Sequence, residues 1–310
     1  MQIALFDSWN GKFSNDIRQH WEELGHKVVV NPRWEDLNQV DINFFYQADN
    51  ALIKATREVN LPGRIYAQCV DIEVWAGQAA AVDWNKVSGV IFMAEHIKEM
   101  VNQQTHVSCP QVVIKPGVNT DKFTLREKPD FSKPIRKIAY VVGDRRIWDV
   151  KRLDIVFQLL RDLLDSTNLI WQLHIRGTYS SHEQYNAYCR HLQKDLRLDD
   201  FVVWHENRVE DMNIWLEDKD YFILPSTKEA FSYATAETMS KGIKPIIGNW
   251  QSAKETWGKF VCETYGQMLA ELTKGVYEPE KYRQYVVEHY DQKRYLNDLD
   301  NFILKGGELR

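Results

Sequence analysis

Short apolar runs alternate with amphipathic segments along the first half of the chain. Runs at residues 2–6, 27–31, 40–46, 64–70, 89–93 and 112–114 predict strands. Between them, apolar residues at helical spacing predict helices, most clearly at 14–24, 50–59 and 94–102. Successive parallel strands need crossover connections, which are usually helices. The pattern therefore predicts a parallel sheet with helices on its faces.

The same pattern restarts after a segment of mixed charge that holds Pro129 and Pro134, so residues 126–135 are expected to be a linker. Beyond it, strands are predicted at 137–142, 170–175, 201–204, 221–224 and 244–247. Residues 278–304 are amphipathic and rich in tyrosine, which predicts a terminal helix pair. The 310 residues are thus expected to form two doubly wound α/β domains, 1–125 and 136–275, that face across a cleft. The helices of 276–310 are expected to return to the first domain.

Composition and charge argue against several classes of protein. The chain has 39 basic and 44 acidic residues and a net charge of −5, which gives no support to a general polyanion binder. No apolar run approaches the length of a membrane span, and the start of the chain lacks the pattern of a signal peptide. The four cysteines lie far apart without a CxxC pair. We therefore expect reduced thiols, no zinc site and a cytoplasmic protein.

The segment from Leu224 to Gly242 carries the strongest candidate chemistry. A strand runs into a polar turn with Glu229 and then into a helix with Glu237, eight residues further on. A helix N-terminus offers free N–H groups suited to a diphosphate, and carboxylates can accept hydrogen bonds from the hydroxyls of a sugar or a ribose. Alternatively, Glu229 only complements the helix dipole and Glu237 is a solvated helix residue. The two carboxylates alone leave both interpretations open.

Two further positions at strand ends bear on function. Arg145, Arg146 and Lys151 follow the first strand of the second domain and can clamp phosphate charge, although a solvated charge run is the alternative. Asp71 follows the fourth strand of the first domain. It can orient an acceptor hydroxyl or act as its base, or it is an ordinary strand-end carboxylate.

These features together resemble a known family. The second half is similar to the nucleotide-sugar-binding domain of GT-B glycosyltransferases, in particular the retaining, family-4-like class with two glutamates separated by seven residues. Residues 143–154 look like its Gly-Arg…Lys-Gly-x-Asp segment, 114–123 like its linker entry, and 25–28 like its Gly-His-x-Val strand. The resemblance covers about residues 1–260. It is strong in the second half and loose in the first.

The resemblance implies a role for each matching residue. Arg145 or Arg146, with Lys151, would neutralise the diphosphate of the sugar donor, and Glu237 would hold the ribose. Glu229 and the amides of Phe231 and Ser232 would contact the transferred sugar and its phosphate. Val209 would lie beside the base, and at Asn10 and Gly11 the backbone would approach the sugar donor. No metal or cofactor is needed in principle, because cations and helix dipoles stabilise the leaving phosphate. The Arg/Lys loop is two residues longer than in the family, and Asp71 stands where relatives often have histidine.

The resulting expectation is a glycosyltransferase that moves a sugar from a nucleoside-diphosphate donor, with a UDP-sugar expected first. Its acceptor is a hydroxyl of a saccharide, a lipid-linked glycan, a small molecule, a protein or a modified DNA base. Two alternatives remain: a transferase for hydroxymethylated DNA bases, and a non-catalytic sugar-nucleotide-binding module. Residues 1–130 hold 13 basic and 17 acidic side chains, a balance that disfavours the DNA alternative.

Overall fold

Two six-stranded sheets, both built of parallel strands, organise the protein. The computed structural model describes residues 1–9, 11, 14–142, 149–177, 183–205 and 211–306. The chain divides into unit 1, Met1–Gly117 with Gln292–Arg310, and unit 2, Val118–Asp291. Each unit contains one of the sheets and its own core. This confirms the predicted class of two doubly wound α/β domains.

The sheet of unit 1 has the strand order β2-β1-β3-β4-β5-β6. Its strands are β1 (Gln2–Phe6), β2 (Lys27–Val30), β3 (Ile42–Phe45), β4 (Arg64–Cys69), β5 (Gly89–Phe92) and β6 (Gln111–Val113). Its first helices are α1 (Asn15–Glu23), α2 (Asn50–Arg57), α3 (Ile72–Trp75) and α4 (Glu95–Gln104). The central strands β3 and β5 are buried at every position, as expected for strands covered on both faces.

The sheet of unit 2 has the order β12-β11-β10-β7-β8-β9. Its strands are β7 (Ile135–Val141), β8 (Ile170–Arg176), β9 (Val202–His205), β10 (Tyr221–Leu224), β11 (Lys244–Gly248) and β12 (Val261–Cys262). Its helices are α5 (Leu153–Ser166), α6 (Glu183–Asp195), α7 (Met212–Trp215), α8 (Tyr233–Ser240), α9 (Ala253–Trp257), α10 (Tyr265–Thr273) and α11 (Pro279–Tyr290). A 3-10 turn, Asp149–Lys151, precedes α5. One face of this sheet packs on α5 and α10, and the other packs on α8 and α11.

Unit 1 is completed by residues that follow unit 2 in the chain. Helix α12 (Gln292–Leu299) continues into a π-helical turn, Asp300–Leu304. The Asp300 carboxylate accepts hydrogen bonds from Trp21 Nε1 at 2.9 Å and pairs with His20 Nε2 at 2.7 Å. A side chain at Gly89 would meet the ring of Phe302, so a larger residue there would have to displace that ring where this segment crosses β5.

The terminal helices are therefore shared between the two units. Helix α11 belongs to unit 2, where Tyr282, Val286 and Tyr290 are buried in its core, whereas α12 belongs to unit 1. The helices of residues 276–310 were expected to return to the first domain, but the part up to residue 291 belongs to unit 2 and only the part after it belongs to unit 1. The boundary between the units lies at residue 117, ahead of the expected linker.

All four cysteine thiols are free and buried, as the expectation of reduced thiols requires. Within the described ranges, none of the helices has both the length and the apolar character needed to cross a bilayer.

Candidate functional site

The order of strands in unit 2 points to one edge of its sheet. From β9 the order runs outward through β8, β7, β10, β11 and β12, so the direction of winding reverses between β7 and β10. Ligands of open α/β sheets bind beyond the carboxyl ends of the strands at such a reversal. Lys151 follows β7 and Glu229 follows β10, so both predicted residues lie at this position.

The structure brings Lys151 and Glu229 into contact. Lys151 Nζ forms an ion pair with Glu229 Oε1, and Ser226 Oγ donates a 2.7 Å hydrogen bond to the same oxygen. The two loops are joined by the backbone, because Thr227 N donates to Val150 O at 2.9 Å. Glu229 is only 8% exposed, so its carboxylate is held largely away from water. A cation, a carboxylate and a hydroxyl are thus preorganised at the switch point of the sheet. Ser226 was missed in the sequence, where one serine in a polar turn carries no distinguishing signal.

Contacts behind Lys151 fix the turn that carries it. The buried Tyr140 hydroxyl donates to Lys151 O at 2.9 Å. Burial raises the pKa of Tyr140 well above its ordinary value, so this phenol stays protonated and able to donate. Arg152 adopts a positive φ of 53° and forms a two-pronged ion pair with Asp154, which also accepts from Tyr185 Oη at 2.8 Å. The Lys151 backbone is therefore held from both sides of the turn.

Helix α8 begins directly beyond this cluster, at a constrained residue. Ser232 caps the helix with φ at 117°, a conformation that non-glycine residues rarely adopt, and its Oγ accepts from Thr235 N at 3.4 Å. Rare backbone conformations concentrate at ligand sites. The ring of Phe231 stacks on Trp257 and meets Tyr290 edge-on, at 5.3 and 4.9 Å between centroids. Any contribution of Phe231 to a ligand must therefore come from its backbone amide.

Glu237 lies in the second turn of α8 and is half-buried. The residues of the helix that are neither fully buried nor exposed are Tyr233, Ala234 and Glu237. They form one face that runs from the capped N-terminus into the second turn. Glu237 therefore lies on the partly exposed face of α8.

In unit 1 the winding reverses between β1 and β3, and the loop after β1 is organised by one carboxylate. Asp7, only 1% exposed, accepts from Trp9 N at 2.7 Å, Gly11 N at 3.0 Å and Ser14 Oγ at 2.5 Å. Gly11 has φ at 82°, and space for a side chain is open there. Glycine is thus needed for its backbone conformation, not because packing excludes a side chain. Gly11 was predicted from the sequence, whereas the Asp7 carboxylate that holds it was not.

Asp71 lies at the carboxyl end of β4, two strands from β1 in the same sheet. Its carboxylate caps α3 by accepting from Ile72 N, so the ordinary structural role is present. Glu73, two residues on, is 4% exposed and accepts from Val70 N at 2.5 Å and Asp71 N at 3.3 Å. Burial is the main cause that raises the pKa of Glu73 to about 7. Glu73 was not among the predicted site residues, because a sequence does not show that a glutamate is buried.

Four predicted residues lie outside the described part of the chain: Asn10, Arg145, Arg146 and Val209. The described strand nearest Val209 is β9, which ends at His205. His174 Nδ1 lies 3.1 Å from His205 Nε2 across β8 and β9. Burial first, and then Lys219, lower the pKa of His174 to about 3, so its imidazole is neutral at pH 7. This buried pair was also missed in the sequence.

The motif Asp218-Lys219-Asp220 does not present free carboxylates. Asp218 pairs with Lys137 Nζ at 2.6 Å and with Lys219, and Asp220 accepts from Lys137 N at 2.7 Å. These ion pairs and hydrogen bonds give Asp218 and Asp220 a structural role in the sheet.

Comparison with known proteins gives the family. The sequence profile of the glycosyl transferases group 1 family matches residues 122–303, more than half of the chain. Comparison with curated protein sequences found no match.

Solved structures agree over nearly the whole chain. A glycosyltransferase from Rickettsia africae is 15% identical, with a TM-score of 0.73 and 99% of each chain covered. Anabaena HepE, solved in complex with UDP and glucose, is 13% identical, with a TM-score of 0.73 over 98% of this chain and 100% of HepE. The lipopolysaccharide outer core galactosyltransferase WaaB is 17% identical, with a TM-score of 0.68 over 99% and 100%. At these identities the likeness establishes the fold, which is GT-B. The chain therefore belongs to the glycosyl transferases group 1 family, and the protein is a glycosyltransferase of the GT-B fold.

Proposed function

We propose that the protein transfers a sugar from a nucleoside-diphosphate donor, a UDP-sugar in the first instance, to a hydroxyl of a saccharide acceptor. The observation that carries the proposal is the contact of Lys151, Glu229 and Ser226 at the switch point of unit 2. HepE, which shares the fold, is solved with UDP and glucose, and WaaB is a galactosyltransferase of lipopolysaccharide. These likenesses support the choice of sugar donor and of acceptor class.

Charge on the diphosphate decides the role of Lys151. When the bond from the anomeric carbon to the phosphate oxygen breaks, negative charge grows on the departing nucleoside diphosphate. Lys151 and the N–H groups at the start of α8 stabilise this charge, with Arg145 or Arg146 as a second cation. Because the ammonium also pairs with Glu229, its position is set before the sugar donor binds. These groups supply the stabilisation that a metal ion supplies elsewhere, so the reaction is proposed to need no metal and no other cofactor.

Sugar recognition falls to the two glutamates. Glu229 accepts from hydroxyls of the transferred sugar, and Glu237 accepts from the hydroxyls of the ribose. The amides of Phe231 and Ser232 contact the phosphate next to the sugar. Asn10, Gly11 and Val209 border the rest of the sugar donor.

The acceptor is proposed to react beside Asp71. Its oxygen forms the new bond to the anomeric carbon as the phosphate leaves, and its proton passes to a departing phosphate oxygen. The configuration is retained because the acceptor attacks from the face that the phosphate leaves. Asp71 orients the acceptor hydroxyl.

Binding of UDP tests the sugar-donor site directly. UDP at 100 times its dissociation constant should raise the free energy of unfolding by about 2.7 kcal/mol. Lys151→Met should abolish most of this gain. Lys244→Met is the matched control, because Lys244 forms an ion pair with Glu271 in the same unit, away from the site. Binding of UDP that is unchanged in Lys151→Met would refute the assignment.

Turnover tests the remaining parts of the proposal. A panel of UDP-sugars with saccharide acceptors should release UDP, and the anomeric configuration of the product, read by NMR, should match that of the sugar donor. Activity should survive treatment with a chelator. Inversion would refute the retaining mechanism, and loss of activity restored by a divalent metal would refute metal independence.

A further inference from the structure

Glu73 is a buried carboxyl group placed against the backbone of Asp71. Its two oxygens accept from successive N–H groups, Val70 N at 2.5 Å and Asp71 N at 3.3 Å. Asp71 has φ at −158° and ψ at −66°, and its own carboxylate caps α3. The end of β4, the turn at Asp71 and the start of α3 are therefore held by one side chain.

The two N–H donors require a carboxylate. Both oxygens of an ionised glutamate accept hydrogen bonds, whereas a glutamine offers one accepting oxygen and one donating NH₂ group. A protonated glutamate likewise places a hydrogen on one oxygen. The ionised form therefore accepts from Val70 N and Asp71 N more strongly than the protonated form, whose hydroxyl oxygen is the poorer acceptor. A buried charge is costly even when it is hydrogen-bonded, so its use at a short turn needs a reason other than stability.

The ionisation of Glu73 falls within the neutral range. Burial raises its pKa to about 7, repulsion from Asp71 adds to the rise, and the backbone N–H groups oppose it. Strand β4 carries Arg64, Tyr66 and Cys69, and of these Cys69 interacts electrostatically with Glu73: its thiol pKa is raised by burial and by Glu73. Helix α4 packs on α3, where Gln104 donates to Val74 O, and it carries the buried His96 in its first turn. Glu73 thus changes charge among groups that are themselves largely buried.

We propose that Glu73 is a positioning residue for the acceptor side of the reaction: its ionised carboxylate holds the Asp71 backbone, and so aims the Asp71 side chain, while its protonation releases one of the two N–H groups. This inference rests on the proposed function in placing Asp71 beside the acceptor. It predicts that transfer rises with pH through the neutral range, half of the rise being complete near the Glu73 midpoint.

Stability should change in the opposite direction. Because folding raises the pKa of this acid, the stability that it contributes is fully present below pH 4.5 and is lost as the pH rises through about 7. The stability of Glu73→Gln relative to wild type should therefore be greater at pH 8 than at pH 5. A glutamate kept only to hold the turn together would give the reverse, a loss of stability that is largest where it is ionised.

The first test observes Asp71 without any reaction. The full chain is labelled with ¹⁵N-aspartate, and the Asp71 amide resonance, assigned with Asp71→Asn, is followed from pH 5.5 to 8.5. It should move with a midpoint near 7 in wild type and in the control Glu58→Gln, an exposed glutamate of unit 1. The movement should be absent in Glu73→Gln. A midpoint that persists in Glu73→Gln overturns the proposal. If that variant does not fold, ¹³C-glutamate carboxyl spectra of the wild type must show the same midpoint for one carboxyl and the Asp71 amide.

The second test separates this inference from the proposed function. Hydrolysis of UDP-glucose, with water as the acceptor, is measured over the same pH range, and UDP binding is measured by calorimetry. Wild-type turnover should show the inflection near pH 7, and Glu73→Gln should lose it and turn over more slowly at pH 8, with UDP affinity unchanged. An inflection retained in Glu73→Gln overturns the role of Glu73. Failure of the wild type to bind UDP overturns the proposed function instead, and the amide titration then still decides whether Glu73 controls Asp71.

Discussion

Replacing Lys151 by methionine should separate the stability of the site from its activity. The change removes the cation beside the Glu229 carboxylate, which also accepts a hydrogen bond from Ser226. The Glu229 side chain is 10% exposed and that of Lys151 is 25% exposed. Breaking a fully buried pair costs about 3–5 kcal/mol, whereas an exposed pair is worth about 0–1 kcal/mol. Partial exposure of the ammonium puts the expected loss between these limits, at about 2 kcal/mol.

A double-mutant cycle isolates that energy. Lys151→Met with Glu229→Gln leaves no unpaired charge, so urea unfolding should recover most of the stability lost in Lys151→Met alone. Turnover should not recover, because the cation facing the departing diphosphate is still missing. We expect kcat to fall about 10²-fold in Lys151→Met, as for other preorganised charge stabilisers, and to stay low in the double variant. Lys244→Met provides the control for loss of an ion pair elsewhere in the unit, with kcat unchanged.

Two results would refute this reasoning. If the double variant is as unstable as Lys151→Met, the loss comes from packing of the lysine side chain and not from an unpaired carboxylate. If Lys151→Met turns over at the wild-type rate, the ion pair is structural and the diphosphate lies elsewhere.

Three further predictions address other parts of the protein. Glu237→Ala should raise the KM for the sugar donor with little change in kcat, because the ribose is unchanged by the reaction; equal loss in both would contradict the ribose assignment. Acid should destabilise the protein through His174, because folding lowers the pKa of this imidazole. Its neutral form contributes to the free energy of unfolding fully above pH 6.5, and this contribution is progressively lost as the pH falls below 6.5. Urea unfolding at pH 5 should therefore show a loss of about 2 kcal/mol that is absent in His174→Gln. Asp7→Asn should cost about 1–3 kcal/mol in unfolding free energy, because an amide cannot accept from Gly11 N and Trp9 N together; wild-type stability would show that the loop does not depend on that carboxylate.

The strands and long helices were predictable because the arrangement of apolar residues along the sequence differs between a strand and a helix. Strands β5 and β10 are apolar runs bounded by turns, and α5 repeats apolar residues on one face. Helix α3 was missed because four residues are too few to show a helical period. Strand β12, with two residues, escaped for the same reason. The division of the terminal helices could not be foreseen, since α11 and α12 are both amphipathic and only packing decides which core covers each.

The site was predictable as a set of strand ends but not as a set of contacts. The positions of Lys151 and Glu229 after the carboxyl ends of two strands follow from the sequence. Their ion pair depends on two loops that meet through Thr227 and Val150, and the sequence does not show that meeting. Glu73 is an ordinary glutamate in the sequence, and its raised pKa comes entirely from its surroundings.

The passage of the chain from unit 1 to unit 2 and back sets an order of events during synthesis. A ribosome makes residues 118–291 before it makes α12, so all the residues of the unit 2 core are synthesised while unit 1 still lacks Asp300 and Phe302. Until then the indole of Trp21 has no carboxylate partner from that segment, and β5 is uncovered where Phe302 will cross Gly89. Domains generally fold as units while the chain emerges. The half of the protein that is translated first is therefore the half whose last element is made last, and a purified chain truncated after residue 291 should show a protease-resistant unit 2 beside a cleavable unit 1.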